Sequence, residues 1–322
     1  MEKILCLDNL MLAYTKAFRG KQHREEVIRY SEDIWQKLDE LRDGLSEGTF
    51  EIGRYHYFWI TDPKLRKICA ASFDERVMHH AVMNVCHDIF ERQLIETTYA
   101  TRKGKGQYKA LERAFKAMRH FRFVAKCDFR KYFDSVCHQT LKNSLARIIK
   151  DADVLLLMYK IIDSYETEKG RGLPIGNLTS QYFANFYLSG MDHYVKEVLK
   201  VKKYVRYMDD FLVFGMNKCE VRRTVEAIDE YAKENLELTL KPVVYNNVLQ
   251  GTSFLGYRLY PHKIMLNGRS KKRFVQKYMV YNKLLSEGLW SETNYQRHII
   301  PLMAFVEKSN AKGLEKNCAS VL

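Results

Sequence analysis

Asp209 and Asp210 stand side by side within Lys203-Tyr204-Val205-Arg206-Tyr207-Met208-Asp209-Asp210-Phe211-Leu212-Val213-Phe214, a setting that points to metal chemistry. Apolar and aromatic residues on both sides supply strand propensity, and the acidic pair falls where a tight turn would join two strands. Adjacent carboxylates repel, so a cation is needed to hold both ionised at close quarters. Hard oxygen donors of this kind suit Mg²⁺, which keeps positions open for water and substrate phosphates. Asp is also an ordinary turn residue, and the pair alone leaves that reading open. A third carboxylate weighs against it. Phe121-Arg122-Phe123-Val124-Ala125-Lys126-Cys127 reads as a short strand that delivers Asp128 at its end, where a helix-capping Asp is the plain alternative. Asp128, Asp209 and Asp210 together would form a two-metal cluster able to activate an attacking hydroxyl and steady the leaving oxygen of an in-line phosphoryl displacement.

The rest of the chain has to hold these carboxylates. Its 322 residues suffice for two or three sub-domains, and 46% hydrophobic with 29% charged residues is a globular composition. No segment approaches a membrane span, and the first residues lack the pattern of a signal peptide, so the chain is expected in the cytoplasm. Seven scattered cysteines fit neither a disulfide framework nor a zinc knuckle. His79, His80 and His87 near Cys86 do not follow a zinc-ligand pattern either.

The net charge of +14 is concentrated. Residues 101–131 carry eleven Lys and Arg against two acids, and residues 261–322 eleven against four. Two such blocks suit a phosphate backbone, with solvated helical faces as the alternative. The first fifty residues read as helix, with Ile28, Ile34, Trp35, Leu38 and Leu41 on one face. An aromatic strand follows at 50–60, then a helix over 76–92. Helices are expected over 135–149 and on through Ile162, over 178–199, and around Val221, Val225, Ile228 and Ala232. Leu238-Thr239-Leu240 and Phe254 to Leu259 read as strands, completing an α+β arrangement, and helices return from Lys271 with Phe274, Tyr278, Tyr281 and Leu285 placed to pack.

In order along the chain come Asp128 with aromatics four and five positions on, Gly172-Leu173-Pro174-Ile175-Gly176-Asn177-Leu178-Thr179-Ser180-Gln181, the Tyr-Met-Asp-Asp hairpin, and Gly251-Thr252-Ser253-Phe254-Leu255-Gly256-Tyr257. This series resembles the palm motifs of reverse transcriptases. Asp62-Pro63-Lys64-Leu65-Arg66-Lys67-Ile68 and Phe73 to Ala81 look like fingers motifs of the bacterial, group II intron-like branch. Ile-Gly at 175–176, where most members have Gln-Gly, followed by Ser180-Gln181, is similar to the reverse transcriptases of diversity-generating retroelements.

The resemblance implies a right-hand polymerase fold with residues 1–122 as N-terminal helices and fingers. Residues 123–260 would be the palm, an antiparallel sheet backed by helices with a fingers insertion at about 140–175, and 261–322 a short basic helical thumb. It assigns Asp128, Asp209 and Asp210 to catalysis and, with Phe129, to the metal site. Lys64, Arg66, Phe129, Phe133, Ile175, Gly176, Gln181 and Lys241 are assigned to the nucleotide, with Phe133 as the gate against a ribose 2′-hydroxyl and Lys241 as a proton donor to pyrophosphate. Phe254, Leu255 and Gly256 would form the primer grip. Two Mg²⁺ ions, with Mn²⁺ able to substitute, would serve an RNA-directed DNA polymerase that copies a template-repeat RNA into adenine-mutagenised cDNA. Implied partners are template RNA, the RNA–cDNA duplex, deoxynucleoside triphosphates and a small basic oligomeric accessory variability determinant protein, in a bacterial cell and from a bacterial or phage gene. The alternatives are a defence or retron-like reverse transcriptase and a non-catalytic maturase-like RNA-binding module.

Overall fold

The computed structural model describes residues 1–61 and 65–309. Helices α1 (Glu2–Leu5), α2 (Leu7–Phe18), α3 (Glu25–Glu32) and α4 (Ile34–Glu47) open the chain, followed by strands β1 (Tyr55–Ile60) and β2 (Arg66–Ala71). Then come α5 (Phe73–Gln93), α6 (Gln107–His120), β3 (Phe123–Cys127), α7 (Tyr132–Ser135), α8 (His138–Ile148), α9 (Ala152–Asp163), α10 (Leu178–Tyr187) and α11 (Ser189–His193). A π-helical turn at Tyr194–Val198 leads to β4 (Lys203–Tyr207), β5 (Asp210–Gly215), α12 (Lys218–Leu236) and β6 (Val244–Asn247). After a 3₁₀ turn at Val248–Gln250 the chain adds β7 (Thr252–Phe254), β8 (Tyr257–Leu259), β9 (Ile264–Leu266), α13 (Gly268–Ser286) and α14 (Glu292–Glu307). Among the described residues no helix is long and apolar enough to cross a membrane.

These elements divide into two compact units, one built from Met1–Ile95, Phe129–Tyr194 and Glu230–Thr239, the other from Glu96–Asp128, Val195–Asp229 and the chain from Leu240 on. In the first, α2 packs on α5 through Leu10, Ala13 and Ala17, whose spacing of three and four residues keeps them on one helical face. Leu38, Leu41 and Leu45 do the same for α4, which ends on a left-handed Gly48. Ile28 and Trp35, expected on this apolar face, are exposed instead. Asp33 at φ −119°, ψ 41° interrupts the helix, so α3 buries Val27 and Tyr30 in its own phase and Trp35 falls on the first turn of α4.

The helix expected over 178–199 is also broken, into α10, α11 and the π-helical turn. Leu188, between α10 and α11, keeps helical dihedrals at φ −89°, ψ 0°, and Gly190 within α11 leaves room for Tyr231, whose hydroxyl a β-carbon there would meet at 2.9 Å and whose ring stacks on Tyr194 at 4.7 Å. Ser-Gly steps are common points of helix disruption.

A buried ionisable pair anchors the start of α5. Glu75 and His79 are wholly enclosed, Glu75 accepts a hydrogen bond from the Gly53 amide at 3.1 Å, and its other oxygen lies 3.6 Å from His79 Nε2. Burial pushes the Glu75 carboxyl up to about 7 and holds His79 down to about 3. A carboxyl raised above its unfolded value near 4.5 favours folding fully only below that value, and the benefit is lost as pH rises through 7. His79 acts in the opposite sense, costing stability as pH falls below its unfolded value. Glu75→Gln keeps the acceptor for Gly53 and removes the charge. It should leave stability nearly unchanged at pH 4 relative to wild type and raise it by roughly 3 kcal/mol at pH 8, read from denaturant midpoints. An equal gap at both pH values would assign the effect to packing.

In the second unit β4, β5, β3 and β6 form an antiparallel sheet in that order, and β7, β8 and β9 a smaller one. Ala110, Leu111, Ala114, Ala117 and Met118 of α6 share one core with Val124, Val205, Leu212 and Phe214 of the larger sheet and Phe254, Tyr257 and Leu259 of the smaller. Val221, Val225 and Ile228 are buried along α12, as is Ala232 in the stretch of that helix that belongs to the first unit, as their spacing predicts. Leu238-Thr239-Leu240 does not form a full strand: the Leu238 amide closes the end of α12 on the Ala232 carbonyl at 3.0 Å, and only Leu240 takes part in a single β-bridge. Phe254 to Leu259 is a hairpin, because Leu255 at φ 49° and Gly256 at φ 89° reverse the chain between β7 and β8.

Candidate active site

Sheet register brings the carboxylates together. Tyr207 pairs with Asp210, which leaves Met208 and Asp209 as the turn of the β4–β5 hairpin. Cys127 of β3 pairs with Phe211 of β5, so Asp128, the next residue, emerges beside Asp210. Met208 adopts a left-handed φ of 56°, a cost on the order of 1 kcal/mol for a residue with a β-carbon. The wholly buried Arg206 donates from its guanidinium to the Met208 carbonyl at 2.9 Å and so helps to hold that turn.

Two lysines occupy the cluster. Lys241 donates its amide to the Asp128 carbonyl at 2.8 Å and its ammonium to Asp128 Oδ2 at 2.6 Å. Lys126, two residues before Asp128 and on the same face of β3, lies 3.5 Å from Asp210 Oδ2. Loss of solvent pushes the Asp210 carboxyl up to about 7, with Lys126 opposing the rise and the charges of Asp128 and Asp209 adding to it. Asp209 is raised as well, first by burial and then by Asp128, with which it can share a carboxyl–carboxyl hydrogen bond. Asp128 Oδ1 and Asp210 Oδ1 are buried with no hydrogen-bond partner. Among the described residues no three His, Cys, Asp or Glu side chains close around one point, because Asp128 is drawn to Lys241 and Asp210 to Lys126. The donor set nevertheless fits a hard divalent cation: carboxylate oxygens, two of them orphaned, in surroundings that penalise uncompensated negative charge.

The other residues assigned from the sequence fall into two groups. Lys241 belongs to the second unit with the carboxylates and lies on Asp128, as an ion pair where a donor facing pyrophosphate was expected. Phe254 is fully buried, the Leu255 carbonyl accepts from Gln107 Nε2 at 3.0 Å, and a β-carbon on Gly256 would meet the Phe305 ring at 2.9 Å. The first unit holds Arg66, Phe129, Phe133, Ile175, Gly176 and Gln181. There the Leu173 amide donates to the Phe133 carbonyl at 2.8 Å and the Cys69 amide to the Ile175 carbonyl at 2.8 Å, tying the Gly172–Gly176 loop to Phe133 and to β2. A β-carbon on Gly176, at φ 130°, would lie 2.9 Å from the Cys69 carbonyl oxygen. Gln181 and Arg66 are exposed and Phe133 is half-buried. Phe129 is completely enclosed, so its side chain cannot face a nucleotide or a metal and only its backbone is left for that assignment. Lys64 lies outside the described residues.

Sequence reasoning missed Lys126 and Arg206. Lys126 was findable from the two-residue strand period, which puts it on the face of Asp128. Arg206 carried a weaker signal, a lone cation inside an otherwise apolar strand.

The arrangement is a hairpin-borne set of carboxylates at one end of an antiparallel sheet with helix α6 packed on it. The sequence model described as "Reverse transcriptase (RNA-dependent DNA polymerase)" matches residues 61–259, well over half of the chain, and the chain belongs to this family, a family of RNA-directed DNA polymerases. It is 25% identical over 273 residues to Protein YkfC of Escherichia coli (strain K12), covering 69% of this chain and 71% of that one. Against the group II intron-encoded protein LtrA of Lactococcus lactis subsp. cremoris it is 24% identical over 176 residues, covering 52% of this chain and 29% of LtrA. Apo telomerase from Candida tropicalis superposes with a TM-score of 0.52 at 12% identity, covering 73% of this chain and 54% of the telomerase chain. That likeness gives the fold, the right-hand polymerase fold. The chain thus spans less than a third of the intron-encoded relative and little more than half of the telomerase chain.

Proposed function

We propose that this chain is the RNA-directed DNA polymerase of a diversity-generating retroelement, copying a template-repeat RNA into error-prone, adenine-mutagenised cDNA for mutagenic retrohoming. The observation that supports the polymerase reading is the sheet register that sets Asp128 beside Asp210 and Asp209 at the adjoining turn, with one orphaned carboxylate oxygen on each of Asp128 and Asp210 and lysine counter-charges beside them. In this reading Asp128, Asp209 and Asp210 hold two Mg²⁺ ions, or Mn²⁺ in their place, with the Phe129 backbone beside them. Such ions, when bound, activate the primer 3′-hydroxyl and neutralise charge on the departing pyrophosphate. Lys241 and Lys126 balance the carboxylates that would hold the ions. Phe133 and the Ile175-Gly176 loop bound the sugar and base of a deoxynucleoside triphosphate, with Arg66, Lys64 and Gln181 on its phosphates and edges, and the Phe254-Leu255-Gly256 turn supports the primer. Residues 123–260 act as palm, 1–122 with the insertion at about 140–175 as fingers, and 261–322 as thumb. The partners are template RNA, the RNA–cDNA duplex and a small basic accessory protein.

Ile175 supports the finer assignment. An amide there could hydrogen-bond the incoming nucleotide, whereas Ile offers only shape, so correct and incorrect pairs should differ less in transition-state binding. Ile175→Gln should lower misincorporation several-fold, about 1 kcal/mol of discrimination, most of all opposite template adenine. Sequencing cDNA made by the two enzymes on one adenine-containing template measures this. Indistinguishable error rates at every template base would remove Ile175 from the fidelity mechanism. The intron-encoded relative favours one second reading, a reverse transcriptase of another bacterial retroelement with the same site and ordinary fidelity.

A further inference from the structure

The second unit carries a cationic and aromatic patch at the ends of its sheets remote from the carboxylates. Phe123, Gly215 and Asn247 are level across the larger sheet, at the end of the five-residue strand β3 opposite to Asp128 and thus about 16 Å from it. In the smaller sheet Thr252 and Leu259 pair at the end opposite to the Leu255-Gly256 turn. The 3₁₀ turn at Val248–Gln250 joins the two ends. The Val248 amide donates to the Arg122 carbonyl at 3.0 Å, and the Arg258 guanidinium donates to the Gln250 carbonyl at 2.8 Å. Arg119, at the end of α6, donates to the Pro261 carbonyl at 3.2 Å.

Tyr260 is the centre of this surface. Its ring lies against Gly251, where a β-carbon would sit 2.7 Å from Cε1, and its amide donates to the Lys263 carbonyl at 2.9 Å. The Arg258 and Lys263 cations lie 5.8 and 5.4 Å from the ring centroid. The ring is therefore fixed by backbone contacts and flanked by positive charge, with exposed His262 beside it.

Charge pairing separates this patch from the surrounding surface. On α6, Lys116 pairs with Glu112 of the same helix at 2.8 Å and Arg113 with Glu96 before it at 3.4 Å, so these two cations are already matched by carboxylates. Arg119, Arg122, Arg258 and Lys263 have no carboxylate partner among the described residues. Cations left unpaired around a rigid aromatic face match what a nucleic-acid strand requires, a phosphate-tracking charge and a surface for a base or nucleoside to stack on.

We propose that Arg119, Arg122, Arg258, Lys263 and Tyr260 form a second RNA-binding surface, one that holds a structured part of the RNA outside the segment being copied. It rests on the reading of the chain as an RNA-templated polymerase for the identity of the partner, and on the patch itself for the binding. The function of such a surface is tethering. It keeps the RNA on the protein while the copied strand moves through the catalytic site.

The test uses the full chain and two RNA probes, a short primer–template and the same template extended by a long RNA hairpin. Wild type should bind the extended probe more tightly. Combined Arg119→Ala, Arg258→Ala and Lys263→Ala should cost about ten-fold in affinity for that probe and reduce the steepness of its salt dependence by about two to three, near 0.9 for each duplex phosphate no longer neutralised. Extension on the short primer–template should be unchanged, which also shows that the variant is folded. Tyr260→Phe should bind as wild type and Tyr260→Leu should not. Equal affinity of wild type and variant for the extended probe, or equal loss on both probes, overturns the proposal. Because hairpin binding is read without polymerisation, a chain that binds as expected yet never extends a primer would defeat the polymerase reading and leave this surface standing.

Discussion

Asp209→Asn should lower primer extension by ~10³-fold or more, about 4 kcal/mol of transition-state stabilisation, while affinity for RNA stays within about two-fold. The separation of the two effects follows from where the charges sit. Asp209 occupies the turn between β4 and β5 beside Asp128 and contributes to a cluster that loss of solvent leaves short of positive charge. Phosphate contacts depend on lysines and arginines elsewhere, and removing a buried negative charge does not weaken them. Asn is nearly isosteric, so the strained turn at Met208 and its hydrogen bond from Arg206 should survive. Single-turnover extension beside a filter-binding titration separates the two quantities. Extension within ten-fold of wild type would mean that Asp209 is only a turn residue.

Phe133→Val should raise the use of ribonucleotides relative to deoxynucleotides by about 100-fold, the upper range for reshaping an apolar contact. Phe133 is half-buried, its ring meets Tyr132 edge-on at 5.8 Å, and its carbonyl holds the Gly172–Gly176 loop through the Leu173 amide. The backbone contact does not depend on the side chain, so the loop should stay in place when the ring is shortened. A ring that serves packing alone predicts a different result, a lower unfolding midpoint with the sugar preference unchanged. Measuring incorporation ratios and thermal midpoints on the same preparation distinguishes a gate from a core residue.

The carboxylates were legible in the sequence because strand propensity and turn chemistry act over a few residues. The β3 run delivers Asp128 and the β4–β5 run delivers Asp209 and Asp210, and antiparallel pairing needs only those two runs to bring them together. The buried face of α12 was legible for the same reason, since Val221, Val225, Ile228 and Ala232 repeat at helical spacing. What escaped depends on partners distant along the chain. Gly190 gives close passage to Tyr231, 41 residues on, and Lys241 pairs with Asp128, 113 residues away. The hairpin at Leu255-Gly256 escaped because its left-handed Leu is not a residue that turn chemistry favours.

The pairing of Cys127 with Phe211 has an evolutionary corollary. A strand alternates its faces residue by residue, so deleting or inserting a single codon within β3 or β5 would turn Asp128 or Asp210 to the opposite side of the sheet. Side chains along these strands can drift among apolar types at modest cost. Their length cannot. Over long divergence this segment should accept many amino-acid replacements and almost no length polymorphism.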